Sequence, residues 1–225
     1  MRELSSPENN TDSRIVNIYY HIFSFLNRCS LFELAKFLFK RSYNKNNYLF
    51  VENWVLGNVG LSILGLIVSY FLGNPKWFII IFIIYGTLRV IEILFYQVNL
   101  SLFAGYKPNG NDSGNTYALK SYRRMVILLI HNFFEIICWF SYIYLYFLKS
   151  FKIENNLNND TLQAIYMSFV TMTTFGQPNF EIYDKWSLIA ISLEAFIGLI
   201  MTLLVLSRFI ALLPHIKSKD PSEMN

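Results

Sequence analysis

The chain has 225 residues, of which 54% are apolar or aromatic in type and only 15% are charged, with 19 Lys or Arg against 15 Asp or Glu. A water-soluble domain of this length carries more surface charge, so the composition argues for long segments within a bilayer. Two cysteines, Cys29 and Cys138, supply neither a disulfide framework nor a metal-ligand spacing.

The first 13 residues are polar and lack an apolar stretch with a small-residue cleavage site, so no signal peptide is expected. Residues 14–41 alternate apolar and polar side chains at roughly helical period. Ser30 followed by Glu33 reads as a capping box that opens a short helix. Phe32, Ala35, Phe37, Leu38 and Phe39 then supply apolar surface, and Lys36, Lys40 and Arg41 supply basic surface. One or two amphipathic helices on the membrane surface fit this pattern. A helix packed on a neighbouring subunit or on the cytosolic mouth fits it equally.

Four apolar stretches follow: Trp54–Leu72, Trp77–Leu100, Met125–Leu148 and Trp186–Ile210. A helix needs about 20 residues to cross the hydrocarbon core, and each stretch meets that within tilt. Three of the four begin at Trp, a side chain that prefers the interface. The runs are too continuously apolar for the alternating strands of a barrel. Charge in the connecting segments gives the orientation. Residues 1–52 hold seven Lys or Arg, and residues 101–124 add Lys107, Lys120, Arg123 and Arg124. The loop between the first two spans holds Lys76, and the segment before the fourth mixes both signs. The positive-inside rule therefore places both termini in the cytosol and residues 150–185 outside. Two polar loops punctuate the chain, Lys107–Gly114 and Asn155–Asp160.

Between the third and fourth spans lies Asp160-Thr-Leu-Gln-Ala-Ile-Tyr-Met-Ser-Phe-Val-Thr-Met-Thr-Thr-Phe-Gly-Gln-Pro178. Asp160 can cap a helix, with Gln163 reaching back. A helix over Thr161–Thr173 is roughly 20 Å long. That is too short to span and too apolar to sit freely in water, so the segment reads as a re-entrant helix. Irregular backbone at membrane depth must line water or be packed by protein, which applies here to Thr174–Pro178.

The order of outer helix, short helix, Thr-rich segment and inner helix resembles the pore module of the potassium-channel superfamily, in its bacterial two-span form. Ser168-Phe-Val-Thr-Met-Thr-Thr-Phe-Gly176 resembles the end of the pore helix and the start of the filter. Ile189-Ala-Ile-Ser-Leu-Glu-Ala-Phe-Ile-Gly-Leu-Ile200, closing in Leu206-Ser-Arg-Phe209, resembles an inner helix. The resemblance implies a homotetramer whose filter is Thr174, Phe175, Gly176, Gln177 and Pro178. Permeant monovalent cations, K+ or also Na+, would be held at Thr174, Phe175 and Gly176 by carbonyls and a hydroxyl that replace the ion's water. The filter departs from the signature Thr-Val-Gly-Tyr-Gly. Gln177 stands in the tyrosine position, and Pro178, with its fixed φ and no N–H, stands in place of the second glycine. Asn179 stands where an acidic residue is usual. A Gly followed by a polar residue and a nearby proline is similar to the filters of weakly selective, cyclic-nucleotide-gated channels. A wide, weakly selective pore and a collapsed, non-conducting filter are the two expectations.

Gly198 falls where related channels have a gating-hinge glycine, and a small residue that permits close helix packing is the other reading. Thr202 and Val205 lie further down the same face, as pore wall or as ordinary packing. Glu194, one turn before Gly198, is read as a buried hydrogen-bonding partner of the short helix rather than an ion ligand. Arg89 and Glu92 are three residues apart and can pair on one helix face. A voltage sensor needs several spaced arginines, and this span has one. His131 and Glu135, four apart, can face each other or that pair. Two ligands on one helix make a weak metal site.

The fold class expected is an all-α membrane protein with four transmembrane helices plus a re-entrant pore helix. Residues 1–52 form an amphipathic cytosolic region, 53–124 two peripheral spans and a loop, 125–212 the pore module, and 213–225 a cytosolic tail. The expected function is the pore-forming subunit of a tetrameric cation channel, multi-pass in a bacterial plasma membrane. Membrane lipids are its expected surroundings. No cofactor, nucleic-acid partner or large regulatory domain is expected. A channel-derived scaffold and an intramembrane enzyme using His131, Glu135 and Glu194 are the rival classes.

Overall fold

A computed structural model describes residues 14–28, 30–40, 44, 47–73, 75–102, 122–148, 151–153, 159–175, 180–182 and 184–212. Several expectations lie outside these residues: the polar tail, Cys29, the Lys107–Gly114 loop with Lys120, most of the Asn155–Asp160 stretch, Gly176, Gln177, Pro178 and Asn179, and residues 213–225. Among the described residues the elements are α1 (Arg14–Arg28), α2 (Leu31–Leu38), α3 (Asn47–Leu72), α4 (Lys76–Leu102), α5 (Tyr122–Phe147), β1 (Phe151–Ile153), α6 (Asp160–Thr173), β2 (Phe180–Ile182) and α7 (Lys185–Leu212).

Helices α3, α4, α5 and α7 are long and apolar enough to cross a membrane. Each runs slightly beyond its apolar stretch, most clearly α3, which begins at Asn47 rather than Trp54. Backbone hydrogen bonding continues past the point where hydropathy falls, because helix propagation needs only a compatible next residue.

Helix α5 is the hub and packs against α3, α4, α6 and α7. Its apolar window is 56% buried, whereas that of α7 is 22% buried. The large side chains that fill the centre come from α5: Leu129, Ile136, Trp139, Tyr142 and Tyr144 are each almost wholly enclosed. Trp139 lies edge-on to Tyr85 of α4, and Tyr142 packs on Phe82. The two helices approach at Gly86, where an added Cβ would stand 2.6 Å from the Trp139 ring.

At the amino end, the Ser30 hydroxyl accepts the N–H of Glu33 at 3.2 Å and starts α2. The Glu33 carboxylate turns to Lys36, so the cap closes on one side only. Helices α1 and α2 both pack on α4. The Phe32 ring meets those of Phe50 and Trp54.

A two-strand antiparallel ladder is the element that hydropathy does not announce. Phe151 pairs with Ile182, Lys152 with Glu181 and Ile153 with Phe180. Phe151 is buried with its ring 6.0 Å from that of Tyr144. The ladder joins the segment after α5 to the segment before α7.

Candidate functional site

Helix α6 starts at Asn159, whose backbone is extended and whose side-chain oxygen accepts the Leu162 N–H at 3.0 Å. The N-cap is therefore Asn159 and not Asp160. Asp160 becomes the first helical residue, where its charge complements the positive end of the helix dipole. The Gln163 N–H bonds the Asn159 carbonyl. Ala164, Met167, Ser168, Thr171 and Met172 line the buried face, at spacings of three and four residues. Leu162, Tyr166 and Phe169 are exposed on the other face.

The helix ends where the sequence analysis expects. The N–H of Thr174 reaches the Thr171 carbonyl and the N–H of Phe175 reaches the Val170 carbonyl, each at 3.3 Å. This is the Schellman pattern of a helix terminus. It places Thr174 at φ 54°, ψ 29°, in the left-handed region. A β-branched residue seldom adopts that region. Thr174 and Phe175 are both exposed. The hydroxyls of Thr171 and Thr173 bond their own helix at the Met167 and Phe169 carbonyls, at 2.8 Å and 2.6 Å.

Two side-chain clusters tie the bundle together, and the first of them holds this helix in it. In the first, Glu194 of α7 is fully buried. Its carboxylate accepts from the Tyr144 hydroxyl of α5 and lies 2.5 Å from the Ser168 hydroxyl of α6. Ser168 also lies 2.8 Å from the Ile137 carbonyl. One residue thus touches all three helices of the module. Gly198, one turn further along α7, meets the backbone of α6: a Cβ there would stand 2.5 Å from the Met172 oxygen and 3.2 Å from its carbon. That contact gives the glycine a packing role at the last turn of α6. Thr202 is exposed and Val205 half-buried on the lower part of α7.

The second cluster joins the peripheral helices to α5. Arg89 donates from Nε to Glu135 Oε1 and from Nη1 to Glu92 Oε2, both at 2.7 Å. A second bond to Glu135 Oε2 measures 3.3 Å. Trp139 Nε1 donates to Glu135 at 3.1 Å, and the guanidinium lies 5.6 Å from the Trp54 ring centroid. Glu92 Oε1 accepts the backbone N–H of Phe32 at 2.6 Å, so α2 docks its amino end on this cluster. All three ionic groups are buried. One guanidinium between two carboxylates is a structural ion triad, fixed by hydrogen bonds that satisfy its charges.

His131 does not join this cluster. Its Nδ1 lies 2.8 Å from the Ile127 carbonyl of its own helix. The proposed enzyme trio therefore has three separate sets of partners: Glu135 meets Arg89, Glu194 meets Ser168 and Tyr144, and His131 meets its own backbone. Among the described residues no group of three His, Cys, Asp or Glu side chains could hold a metal ion. The Glu135–Arg89 bond between helices was open in the sequence, where spacing alone allows several partners. The Tyr144–Glu194 bond had no sequence signal, since Tyr144 is one of 15 tyrosines.

The two clusters draw on residues of all four helices that are long and apolar enough to cross a membrane. No curated protein and no solved structure matches the chain. Residues 126–214, which hold most of α5 and all of α6 and α7, match an ion channel family model, and this match supports an ion channel family for the chain.

Proposed function

We propose that the chain is the pore-forming subunit of a homotetrameric channel for monovalent cations, with α6 as a re-entrant pore helix and Thr174–Pro178 as its filter. The observation that carries the reading is the short helix α6, held between two spanning helices by Glu194 and by the Gly198 contact, and ending in exposed Thr174 and Phe175. The terminal bonds occupy the Val170 and Thr171 carbonyls, and the negative dipole end of the helix favours a cation beyond it. The exposed apolar face of α7, with Leu193, Phe196, Leu199 and Leu203, suits packing against other copies around an axis. Four copies surround a pore by cyclic symmetry. With Arg123, Arg124 and the amino-terminal Lys and Arg on one side, both termini lie in the cytosol.

Within this reading the filter is wide and weakly selective. Pro178 and Gln177 replace the residues on which a narrow outer filter depends. Reversal potentials of the purified chain in planar bilayers, under opposed K+ and Na+ gradients, test both points. A reversal potential near zero supports weak selectivity. One at the K+ equilibrium value sinks weak selectivity while keeping the channel. Silence in every lipid and voltage condition, from a chain that elutes as a monomer, removes the channel reading itself.

A further inference from the structure

Helix α1 turns its apolar side outward. Ile15, Ile18, Ile22 and Phe25 recur at spacings of three or four residues and form one stripe, with Tyr19 beside it. All five are exposed, from 47% at Ile22 to 67% at Phe25. Asn17 and Tyr20 are half-buried on the other side, and α1 rests on α4. A helix in water does the reverse and buries its apolar stripe against the protein. Helix α2 repeats the arrangement: Leu34, Phe37 and Leu38 are exposed while Ala35 is buried.

The charges on these two helices and just after them are mostly of one sign. Residues 14–41 hold five Lys or Arg and one acidic residue, Glu33. That acid is engaged by Lys36. An apolar stripe on a segment with an excess of cations fits an anionic lipid leaflet, which takes the stripe among its acyl chains and the cations at its headgroups. A second copy offering the same face would set like charges together. The supporting helix α4 is itself exposed and apolar at Leu88, Ile91 and Leu102, so the lipid-facing surface does not stop at α1.

We propose that the outward face of α1 and α2 is a docking surface for the anionic cytosolic leaflet, held in register with the pore module by the Glu92 contact to α2. The inference rests on the cytosolic placement proposed above. It names a physical link as well as a surface: the Phe32 N–H holds Glu92, Glu92 holds Arg89, and Arg89 holds Glu135 on the outer helix of the module.

Nitroxide labelling of the full chain tests it. Cys29→Ser and Cys138→Ala provide the background, and Ile18→Cys, Ile22→Cys, Leu34→Cys or Asn17→Cys then carries one label in phosphatidylcholine vesicles with or without phosphatidylglycerol. With phosphatidylglycerol, labels at 18 and 22 are expected to collide with oxygen in preference to a water-soluble nickel chelate, and the label at 17 to be immobilised. Without phosphatidylglycerol, the ratio of oxygen to nickel accessibility at 18 and 22 should fall. Adding Glu92→Gln should raise the mobility of the label at 34 and leave the lipid preference at 18 intact. Nickel-accessible labels at 18 and 22 in anionic vesicles overturn the docking surface. So does spin–spin broadening between copies, which assigns the face to a second chain. An equal oxygen preference in phosphatidylcholine alone overturns the anionic specificity, and unchanged mobility at 34 overturns the role of Glu92. None of these readouts requires ion flow, so they stand apart from the conduction test.

Discussion

Gly198 sits against the carbonyl group of Met172, with room for a hydrogen and not for a methyl group. The neighbour is backbone at the end of a helix, so it cannot swing aside as a flexible side chain does. Gly198→Ala should therefore destabilise the fold by about 1–3 kcal/mol, the range for overpacking a fitted contact. Gly57→Ala is the control, because nothing lies within 4 Å of the Cβ it would add. That substitution should be neutral or stabilising by up to about 1 kcal/mol, since alanine is the better helix former. Thermal unfolding in detergent micelles compares the two, and equal shifts would remove the packing argument.

Arg89 pairs with two buried carboxylates on different helices. Arg89→Met should leave both unpaired and cost about 3–5 kcal/mol. The double substitution Arg89→Met with Glu135→Met should recover part of that loss, because it deletes a charge as well as a partner. Chemical denaturation of the detergent-solubilised chain measures the coupling. A double variant no better than the single one means that Glu135 does not depend on Arg89.

Glu194 provides the acceptors for two hydroxyls that burial shuts off from water. Glu194→Leu should orphan Tyr144 and loosen Ser168, at about 1–3 kcal/mol for each group left unsatisfied. Glu194→Gln keeps an acceptor oxygen and should lose less. Amide exchange across α6 reports the difference: the Leu variant should speed exchange in the last turns of this helix, and the Gln variant should lie between it and the parent.

Thr174 adopts a left-handed conformation that glycine takes without steric cost. Thr174→Gly should therefore stabilise the end of α6 by roughly 1 kcal/mol, the lower end of the strain carried by a non-glycine residue there. Its hydroxyl is lost at the same time, so, if Thr174 has the proposed filter role, ion flux should change while stability rises. A lowered unfolding temperature would show that the threonine side chain holds the turn by contacts stronger than its strain.

Much of the architecture was legible because bilayers demand few solutions. The four spans follow from apolar length, and α6 follows from an apolar stretch too short to cross. Its last residue, Thr173, was read correctly. Its cap was misplaced by one residue, since Asn159 and Asp160 are both good N-caps and only backbone geometry chooses between them. The Arg89–Glu92 pair was legible because both residues lie on one helix, where spacing implies distance. Glu135 joining them, Tyr144 reaching Glu194, and Met172 meeting Gly198 are relations between helices, and no spacing within the chain encodes them. The β1–β2 ladder was illegible for another reason. Three residues on each side are too few to show alternation against a background this rich in aromatic and branched side chains.

That ladder has a mechanical consequence. It fastens the chain just after α5 to the chain just before α7, so the two helices share a pivot at one end and are unfastened by it at the other. Helix α7 has 28 residues and is therefore about 42 Å long. With one end pinned, displacement grows along the rod: a swing of about 10° is negligible beside the ladder and moves the far end by roughly 7 Å. The Gly198 contact lies midway along this arm, and Arg208, which donates to Ser101 of α4 at 3.0 Å, lies near its tip. A single charge-assisted hydrogen bond there has the greatest leverage on the whole helix.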